Sequence, residues 1–344
     1  MMISNKKIND FHVISGSQVK IILSDMRKET IDIVAQTYLA HERGETANPD
    51  SYFLRFPDKP LNRIIALPAA ILNSVGEEAV SGIKWIASYP DNIKQGIPRA
   101  SAVMILNHPT TGYPYALLEG AMISAVRTAA SAVLGARWLN EQRKTAASIA
   151  IIGGGVIARN IIETFSADGW SFGQVGVHDL DHSSATALSQ FVESAGFRRA
   201  KILSQREALA ADIVVFATSA GTPYVNGEDT FRPGQIVLNI SLRDIGPEIV
   251  VQSYNFFDDI SHCLKANTSP HLTEQKYQHR EFITGTLAAL IRGDITIKRD
   301  KPLIYSPFGM GILDLVLARI IHEVAVARDM AVAIPFFFGE ESRW

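Results

Sequence analysis

The chain is poor in cysteine and has no surplus of basic residues. Its 344 residues include one cysteine, Cys263, which excludes an intrachain disulfide and a zinc site built from several cysteines. The 33 Lys and Arg residues are balanced by 35 Asp and Glu residues, so the formal net charge is −2, and no Lys/Arg-rich tract is present. Proteins that neutralise nucleic-acid phosphates need a basic surface. We therefore expect no nucleic-acid partner.

Long hydrophobic runs are also missing. No apolar stretch reaches the ~18 residues that a membrane-spanning helix needs, because Arg127 interrupts the most apolar candidate, 121–134. The opening residues, MMISNKKINDFHVI, contain no long apolar segment typical of a secretory signal. Together with the single cysteine, these features predict a protein of the reducing cytoplasm that has no membrane partner.

Two domains are expected from the length and the 47% apolar composition. After residue 147, helical patterns alternate with short apolar runs at 148–152, 174–177, 200–203, 212–217, 236–240 and 255–257. This alternation predicts a parallel sheet with right-handed crossovers.

The part before residue 148 has a different pattern. It predicts a helix near 28–39, strands at 63–67, 80–86 and 102–106, a hairpin turn at 108–114, and one long Ala-rich helix over 115–139. A last helical pattern, 312–327, is expected to return to this first domain. The second domain would then be an insertion.

A glycine pattern follows the first strand of the second domain. GGGVIA fits G-x-G-x-x-G/A, in which glycines permit a tight turn and a close approach to a pyrophosphate. A turn that binds nothing would satisfy the pattern alone, but the preceding strand and following helix favour a dinucleotide. The expected contacts are Gly153, Gly154, Gly155, Val156 and Ile157.

Three further residues are candidates for the same dinucleotide site. Asp179 ends the second strand, where a carboxylate accepts hydrogen bonds from ribose hydroxyls and repels a 2′-phosphate, which favours NAD over NADP. Thr218 and Ser219 follow the fourth strand, although ordinary turn chemistry explains them nearly as well. The segment HDLDH, 178–182, is a weaker candidate for a metal site, because its ligands would not converge, and we expect no metal.

Several charged residues are candidates for substrate chemistry. Arg127 emerges from an apolar helix face and needs an anion, either an internal carboxylate or a ligand carboxylate. Lys84 shares a strand face with small and apolar residues; it either extends to water or anchors a carboxylate or steers proton transfer. Asp244 follows the fifth strand, where it is a candidate general base. Arg55 and Arg63 are further cations of the first domain, as is Arg99.

The motifs RIIALP, SGIKW, SAVMILNHPTTGYPYALLEGAMISAVRTAASA, IIGGGVIA and SPFGMGILDL resemble the ornithine cyclodeaminase/mu-crystallin family along nearly the whole chain. The resemblance implies an α/β fold, in which a Rossmann dinucleotide-binding domain, 131–314, is inserted into an α+β substrate-binding and dimerisation domain, 1–130 with 315–344. It also implies NAD as cofactor and a homodimer.

The resemblance extends to individual residues. Lys84 and Arg127 match the family's carboxylate-binding residues, Asp244 matches its catalytic aspartate, and Arg55, with Arg63 beside it, matches a substrate arginine. Where cyclodeaminases carry Asp-Pro-Gly-Lys, this chain has RDIGPEI, which lacks the lysine.

Instead, RIIALP, SGIKW and the form NIS-x-x-D at 239–244 resemble the branch of the family that makes 2,3-diaminopropionate for siderophores and peptide antibiotics. That branch implies NAD-dependent oxidation of a secondary amine carrying three carboxylates, held by cations gathered in the first domain, with Lys84 and Asp244 at the reacting bond. The alternatives are a cyclodeaminase that uses NAD catalytically and a mu-crystallin-like binding protein.

Overall fold

The computed structural model describes residues 11–72, 79–227 and 231–340. These residues form two compact units. Unit 1 comprises the described residues of 1–26, 43–124 and 310–344, and unit 2 comprises those of 27–42 and 125–309. No helix in these described ranges is long and apolar enough to cross a membrane.

Sixteen strands and eleven α-helices are formed by the described residues. Up to residue 139 they are β1 (Phe11–Ile14), α1 (Gly16–Asp25), α2 (Glu29–Glu42), β2 (Thr46–Ala47), β3 (Tyr52–Phe56), β4 (Lys59–Ile71), β5 (Val80–Ser88), a 3₁₀ helix (Pro90–Gln95), β6 (Ala100–Asn107), β7 (Pro114–Glu119) and α3 (Ala121–Leu139). The others are β8 (Thr145–Ile152), α4 (Val156–Ala167), β9 (Ser171–His178), α5 (His182–Ser194), β10 (Lys201–Ile202), α6 (Gln205–Leu209), β11 (Ile213–Phe216), β12 (Ile236–Asn239), α7 (Pro247–Val250), β13 (Tyr254–Phe257), α8 (Ile260–Cys263), α9 (Ser269–Tyr277), β14 (Ile283–Thr286), α10 (Leu287–Arg292), β15 (Leu303–Tyr305), α11 (Gly311–Ala327) and β16 (Val332–Ile334).

Unit 1 is built on one sheet with the order β16-β1-β7-β6-β5-β4-β2, in which β3 also pairs with β4. Strands β4 to β7 are antiparallel neighbours, so the predicted turn at 108–114 does close a hairpin between β6 and β7. Helix α11 lies on one face of the sheet, where Gly82 leaves room for it: a Cβ there would stand 2.9 Å from Leu315.

The predicted helix over 115–139 was wrong over its first six residues. Residues 114–119 form β7 instead, because pairing with β6 and with β1 overrides the local helical spacing. The Glu119 carboxylate then accepts hydrogen bonds from the backbone N–H groups of Ala121 (2.7 Å) and Met122 (3.1 Å). These bonds satisfy two of the free donors of a helix N-terminus, so α3 begins at Ala121.

Unit 2 contains a parallel sheet with the order β10-β9-β8-β11-β12-β15-β13-β14. All six predicted strands are present. The central strands β11 and β12 are buried along their whole length, as expected where helices cover both faces of a parallel sheet. This is the Rossmann-type α/β architecture.

Residues 27–42 and Arg127 were expected in the first domain, but both belong with unit 2. The Tyr38 hydroxyl of α2 lies 2.7 Å from the Ser131 hydroxyl, which in turn lies 3.0 Å from that of Tyr305. Helix α3 packs so closely on β15 that a Cβ at Gly135 would overlap the Tyr305 ring. An amphipathic helix shows which face is buried, and only tertiary packing decides which core receives that face.

Candidate active site

The glycine loop of unit 2 is shaped by close backbone approach. Gly153 has a φ of +102°, and a Cβ there would overlap the Ala217 carbonyl oxygen. A Cβ at Gly154 would come 2.8 Å from the Ser184 carbonyl oxygen. Only glycine fits these two positions without a backbone shift.

Helix α4 begins directly after this loop and its first turn is open. No atom lies within 4 Å of a Cβ built at Gly155, the residue that precedes the helix. The side chain of Val156 is 56% exposed, and Ile157 is half-buried. The free N–H groups of the helix N-terminus therefore face open space, an arrangement that suits a pyrophosphate.

The Asp179 carboxylate lies at the edge of the glycine loop. It accepts hydrogen bonds from the backbone N–H groups of Gly154, at 2.6 Å, and of Asp181, at 2.8 Å. Two carboxylate oxygens have about four acceptor sites, so capacity remains for the hydroxyls of a ribose. Leu180, which follows, is 95% exposed and does not cover the carboxylate.

The other acidic residue of HDLDH has a structural role. The Asp181 carboxylate accepts hydrogen bonds from the backbone N–H and side-chain hydroxyl groups of Ser183 and Ser184, which caps α5. These bonds lower the pKa of Asp181 to about 2. Within the three described ranges, no group of three or more His, Cys, Asp or Glu side chains is placed to hold a metal ion.

Asp244 is fully buried at the carboxyl end of β12 and is held by hydroxyl groups. Thr218 and Ser241 each donate a hydrogen bond of 2.5 Å to its carboxylate. Burial and the neighbouring Asp244 charge raise the pKa of Tyr224. Of the two residues predicted after the fourth strand, Thr218 thus contacts Asp244. Ser219 beside it is exposed.

Arg127 is 9% exposed and packs against the loop that ends unit 2. A Cβ at Gly309, whose φ is +88°, would overlap the Arg127 guanidinium. The backbone N–H groups of Phe308 and Gly309 donate to Asp258, at 2.9 and 2.7 Å. Burial and the Asp258 charge raise the pKa of Tyr38, and the Arg127 charge opposes them, so the three groups are electrostatically coupled.

Lys84 does not extend to water; it is 2% exposed and forms an ion pair inside unit 1. Its ammonium lies 2.5 Å from the carboxylate of Asp314, in the first turn of α11, and 3.2 Å from the hydroxyl of Ser124. The Asp314 side chain is fully buried. A buried charge needs such a partner to remain ionised.

Arg55 and Arg63 lie opposite each other on β3 and β4, and Arg63 lies opposite Ser88 on β5. Directly opposite residues point to the same face of a sheet, and Lys84, four residues before Ser88, shares that face. The structure thus gathers the predicted cations of unit 1 on the face that α11 covers in part.

Asp314, Ser241, Tyr224 and Asp258 were not among the predicted residues. The signal for Asp314 was present, since it is a single carboxylate in the apolar run ILDLVLA, which an ordinary amphipathic helix would not place there. The hydroxyls around Asp244 carry no such signal, because Ser and Tyr are common in loops.

Comparisons with known proteins cover nearly all of the chain. Residues 13–329 match the ornithine cyclodeaminase/mu-crystallin family. The chain is 30% identical over 324 residues, 89% of this chain and 93% of the relative, to N-((2S)-2-amino-2-carboxyethyl)-L-glutamate dehydrogenase of Staphylococcus aureus.

Solved structures have the same fold. The Δ(1)-pyrroline-2-carboxylate reductase of Thermococcus litoralis, in complex with NADH and L-proline, aligns with a TM-score of 0.85 at 24% identity, covering 94% of this chain and all of that one. An archaeal alanine dehydrogenase dimer with bound NAD aligns with a TM-score of 0.82 at 23% identity, covering 95% and 100%.

Proposed function

The chain belongs to the ornithine cyclodeaminase/mu-crystallin family, and from that premise we propose that it is an NAD-dependent dehydrogenase that cleaves N-((2S)-2-amino-2-carboxyethyl)-L-glutamate. The products would be 2-oxoglutarate and L-2,3-diaminopropionate, and the latter would serve siderophore or peptide antibiotic synthesis. Similarity to the staphylococcal dehydrogenase along 89% of the chain supports this substrate. The observation that carries the proposal is the gathering of Lys84, Arg63 and Arg55 on one sheet face, which suits a substrate with several carboxylates.

The proposed reaction is an oxidation followed by hydrolysis. When bound, NAD⁺ supplies the acceptor for the hydride that leaves the glutamate Cα, and one NADH forms per turnover. The substrate is left with a C=N bond, and water adds to its carbon. The C–N bond then breaks: the nitrogen leaves with 2,3-diaminopropionate, the water oxygen stays in 2-oxoglutarate, and one proton is released.

Unit 2 would hold the dinucleotide through its glycine loop. The backbone N–H groups at the start of α4 suit the pyrophosphate: the close packing of Gly153 and Gly154 shapes the turn, and Gly155 faces open space. Val156 and Ile157 line the same turn. The Asp179 carboxylate would accept hydrogen bonds from the ribose hydroxyls and repel a 2′-phosphate. Thr218 would act by fixing Asp244, and Ser219, which is exposed, remains a candidate contact.

The substrate carboxylates would be held by cations. The proposed groups are those that the family resemblance assigns: Arg127, Lys84, Arg55 and Arg63. The pairing of Lys84 with Asp314 refines this proposal. Because Asp314 already balances the lysine charge, Lys84 would donate a hydrogen bond and fix orientation rather than supply a net positive charge.

Asp244 is the proposed general base. Hydrogen bonds from the hydroxyls of Thr218 and Ser241 hold its carboxylate in place. Asp244 would accept the proton of the amine or of the attacking water. A positioned base of this kind contributes roughly 10²- to 10⁴-fold to the rate.

The dimer is proposed to form through the sheet face of unit 1 opposite Lys84, which we call the outer sheet face. One register row on it joins Tyr52, Ala66, Trp85 and Val103. Trp85 is 40% and Tyr52 is 69% exposed, and exposed apolar patches of this kind mark interaction sites. The archaeal alanine dehydrogenase is a dimer, which supports a second copy as the occupant.

Product analysis tests the proposed function. The chain is incubated with NAD⁺ and either the proposed secondary amine or L-ornithine, and the products are identified by mass spectrometry. We expect 2,3-diaminopropionate and 2-oxoglutarate from the amine and no proline from ornithine. Proline with ammonia would instead identify a cyclodeaminase.

A further inference from the structure

Three arginines from three neighbouring parts of the unit 1 sheet meet at the end of β5. Arg55 is directly opposite Arg63, and Arg63 is directly opposite Ser88. The Ser88 hydroxyl accepts a hydrogen bond of 2.8 Å from the Nη1 atom of Arg99. Ser88 is buried, so this bond fixes the Arg99 guanidinium beside the Arg55–Arg63 pair.

Such a cluster of cations favours binding of an anion. Like charges directly opposite on a sheet repel each other, and burial lowers the pKa of Arg99 because it disfavours the charged form. In the part of the chain that the structure describes, neither Arg55 nor Arg99 has a carboxylate partner: Arg55 lies over the Phe53 ring, 5.1 Å from its centroid, and Arg99 bonds Ser88. A carboxylate from outside the chain would relieve the repulsion.

The cluster is separate from the Lys84–Asp314 pair. Lys84 and Ser88 point to the same face of β5 and are four residues apart, which corresponds to roughly 13 Å along a strand. A single carboxylate cannot contact both places. An acyclic molecule with a carboxylate at each end can contact both the Lys84 ammonium and the arginine cluster, because arginine side chains are long enough to reach toward it.

We infer that Arg99, fixed by Ser88, forms with Arg55 and Arg63 a second anion subsite that takes the distal carboxylate of a dicarboxylic substrate half. This inference deepens the proposed function and rests on it for the identity of the substrate. It assigns Arg99 as a specificity-determining residue. Substrates whose amino-acid half ends in a methyl group, such as an alanine-derived amine, bring no carboxylate to Arg55 and Arg99 and are rejected.

Binding of glutarate tests the subsite without requiring turnover. Glutarate carries the two carboxylates of the glutamate half, and butyrate is the matched probe with one carboxylate. Both are titrated by calorimetry into the full chain and into Arg99→Gln. The control variant is Lys94→Gln, which removes an exposed cation of the same β5–β6 connection that pairs with Asp91.

We expect glutarate to bind the wild-type chain more tightly than butyrate. Arg99→Gln should lower the affinity for glutarate roughly 10- to 100-fold, as expected for loss of a hydrogen bond between charged groups. The affinity for butyrate should be nearly unchanged. Ser88→Ala should lower the affinity for glutarate by a smaller factor, because Arg99 remains but loses the hydrogen bond to the Ser88 hydroxyl. Lys94→Gln should bind both probes like the wild type.

Three results would overturn the subsite: no preference of the wild-type chain for glutarate, equal glutarate affinity in Arg99→Gln, or an equal loss in Lys94→Gln. Failure of the proposed function has a different signature. In that case the secondary amine gives no NADH, whereas the glutarate affinities still follow the expected order.

Discussion

Asp314 places its carboxylate 2.5 Å from the Lys84 ammonium, and the two side chains are 0% and 2% exposed. The pair joins the first turn of α11 to the middle of β5, so the helix and the sheet of unit 1 are held by charge as well as by apolar packing. Removing one partner of a buried pair leaves an uncompensated charge, which costs far more than loss of a surface pair.

Asp314→Ala should therefore destabilise the chain by about 3 to 5 kcal/mol, whereas Asp314→Asn, which keeps a hydrogen-bond acceptor, should cost less. The measurement is the midpoint of thermal unfolding by calorimetry. Asp91→Asn is the control, since its pair with Lys94 is exposed and such surface pairs contribute little to stability. Equal midpoints for Asp314→Ala and Asp91→Asn would contradict the account.

Asp244→Asn should lower kcat by roughly 10²- to 10⁴-fold, because the amide cannot accept the proton. Steady-state kinetics with the proposed amine provides the measurement. Thr218→Val removes one hydrogen bond to the carboxylate and should lower kcat by a smaller factor. Near-normal turnover in Asp244→Asn would remove the residue from the mechanism.

Asp179→Ser should relax the preference for NAD over NADP, because the carboxylate that repels a 2′-phosphate is gone. The ratio of kcat/KM for the two dinucleotides measures this. Asp181→Ser is the matched control: it removes a neighbouring carboxylate, while serine can still cap α5, and it leaves the carboxylate at the glycine loop in place. A preference that survives Asp179→Ser, or is lost equally in Asp181→Ser, would place ribose recognition elsewhere.

Gly309→Ala should raise KM for the amine with a smaller effect on kcat. The added Cβ would displace the Arg127 guanidinium and strain a residue whose φ is +88°. Arg127→Ala should raise KM by the equivalent of about 2 to 5 kcal/mol. Arg143→Ala, which removes an exposed arginine paired with Glu141, is the control and should behave like the wild type. Wild-type KM in both Gly309→Ala and Arg127→Ala would limit Arg127 to a structural role.

Trp85→Glu should convert the proposed dimer to monomers, because it puts a charge in the centre of the outer sheet face. Sedimentation velocity measures the state of assembly. Leu180→Glu alters an apolar residue in unit 2 that is more exposed than Trp85, and it should leave the dimer intact. A wild-type chain that sediments as a monomer would end the dimer proposal.

Much of unit 2 could be predicted from the sequence because its strands are fully buried. Runs such as IVVF at 213–216 leave no polar alternation and are bounded by helical patterns. Strands β14 and β15 were missed because ITGT and LIY are too short and too mixed to stand out. The start of α3 was missed because the segment YALLE fits the apolar spacing of a helix as well as that of a strand. Only pairing with the neighbouring strands decides between the two.

The sequence allowed several charged residues of the candidate site to be predicted. It did not reveal which side chains those residues contact. Lys84 was recognised as a lone cation on an apolar strand face, yet its partner Asp314 is 230 residues away in the chain. The alternation of β5 predicts which face carries Lys84. It contains no information on which helix covers that face, so the ion pair emerges only from tertiary structure.

The most direct test of the central claim is the stoichiometry of NADH formation. NAD⁺ and N-((2S)-2-amino-2-carboxyethyl)-L-glutamate are added to the full chain, NADH is followed by its near-ultraviolet absorbance, and 2-oxoglutarate is measured in the same sample. The account predicts one NADH for each 2-oxoglutarate. Consumption of the amine without net NADH, or absence of both products, would contradict it.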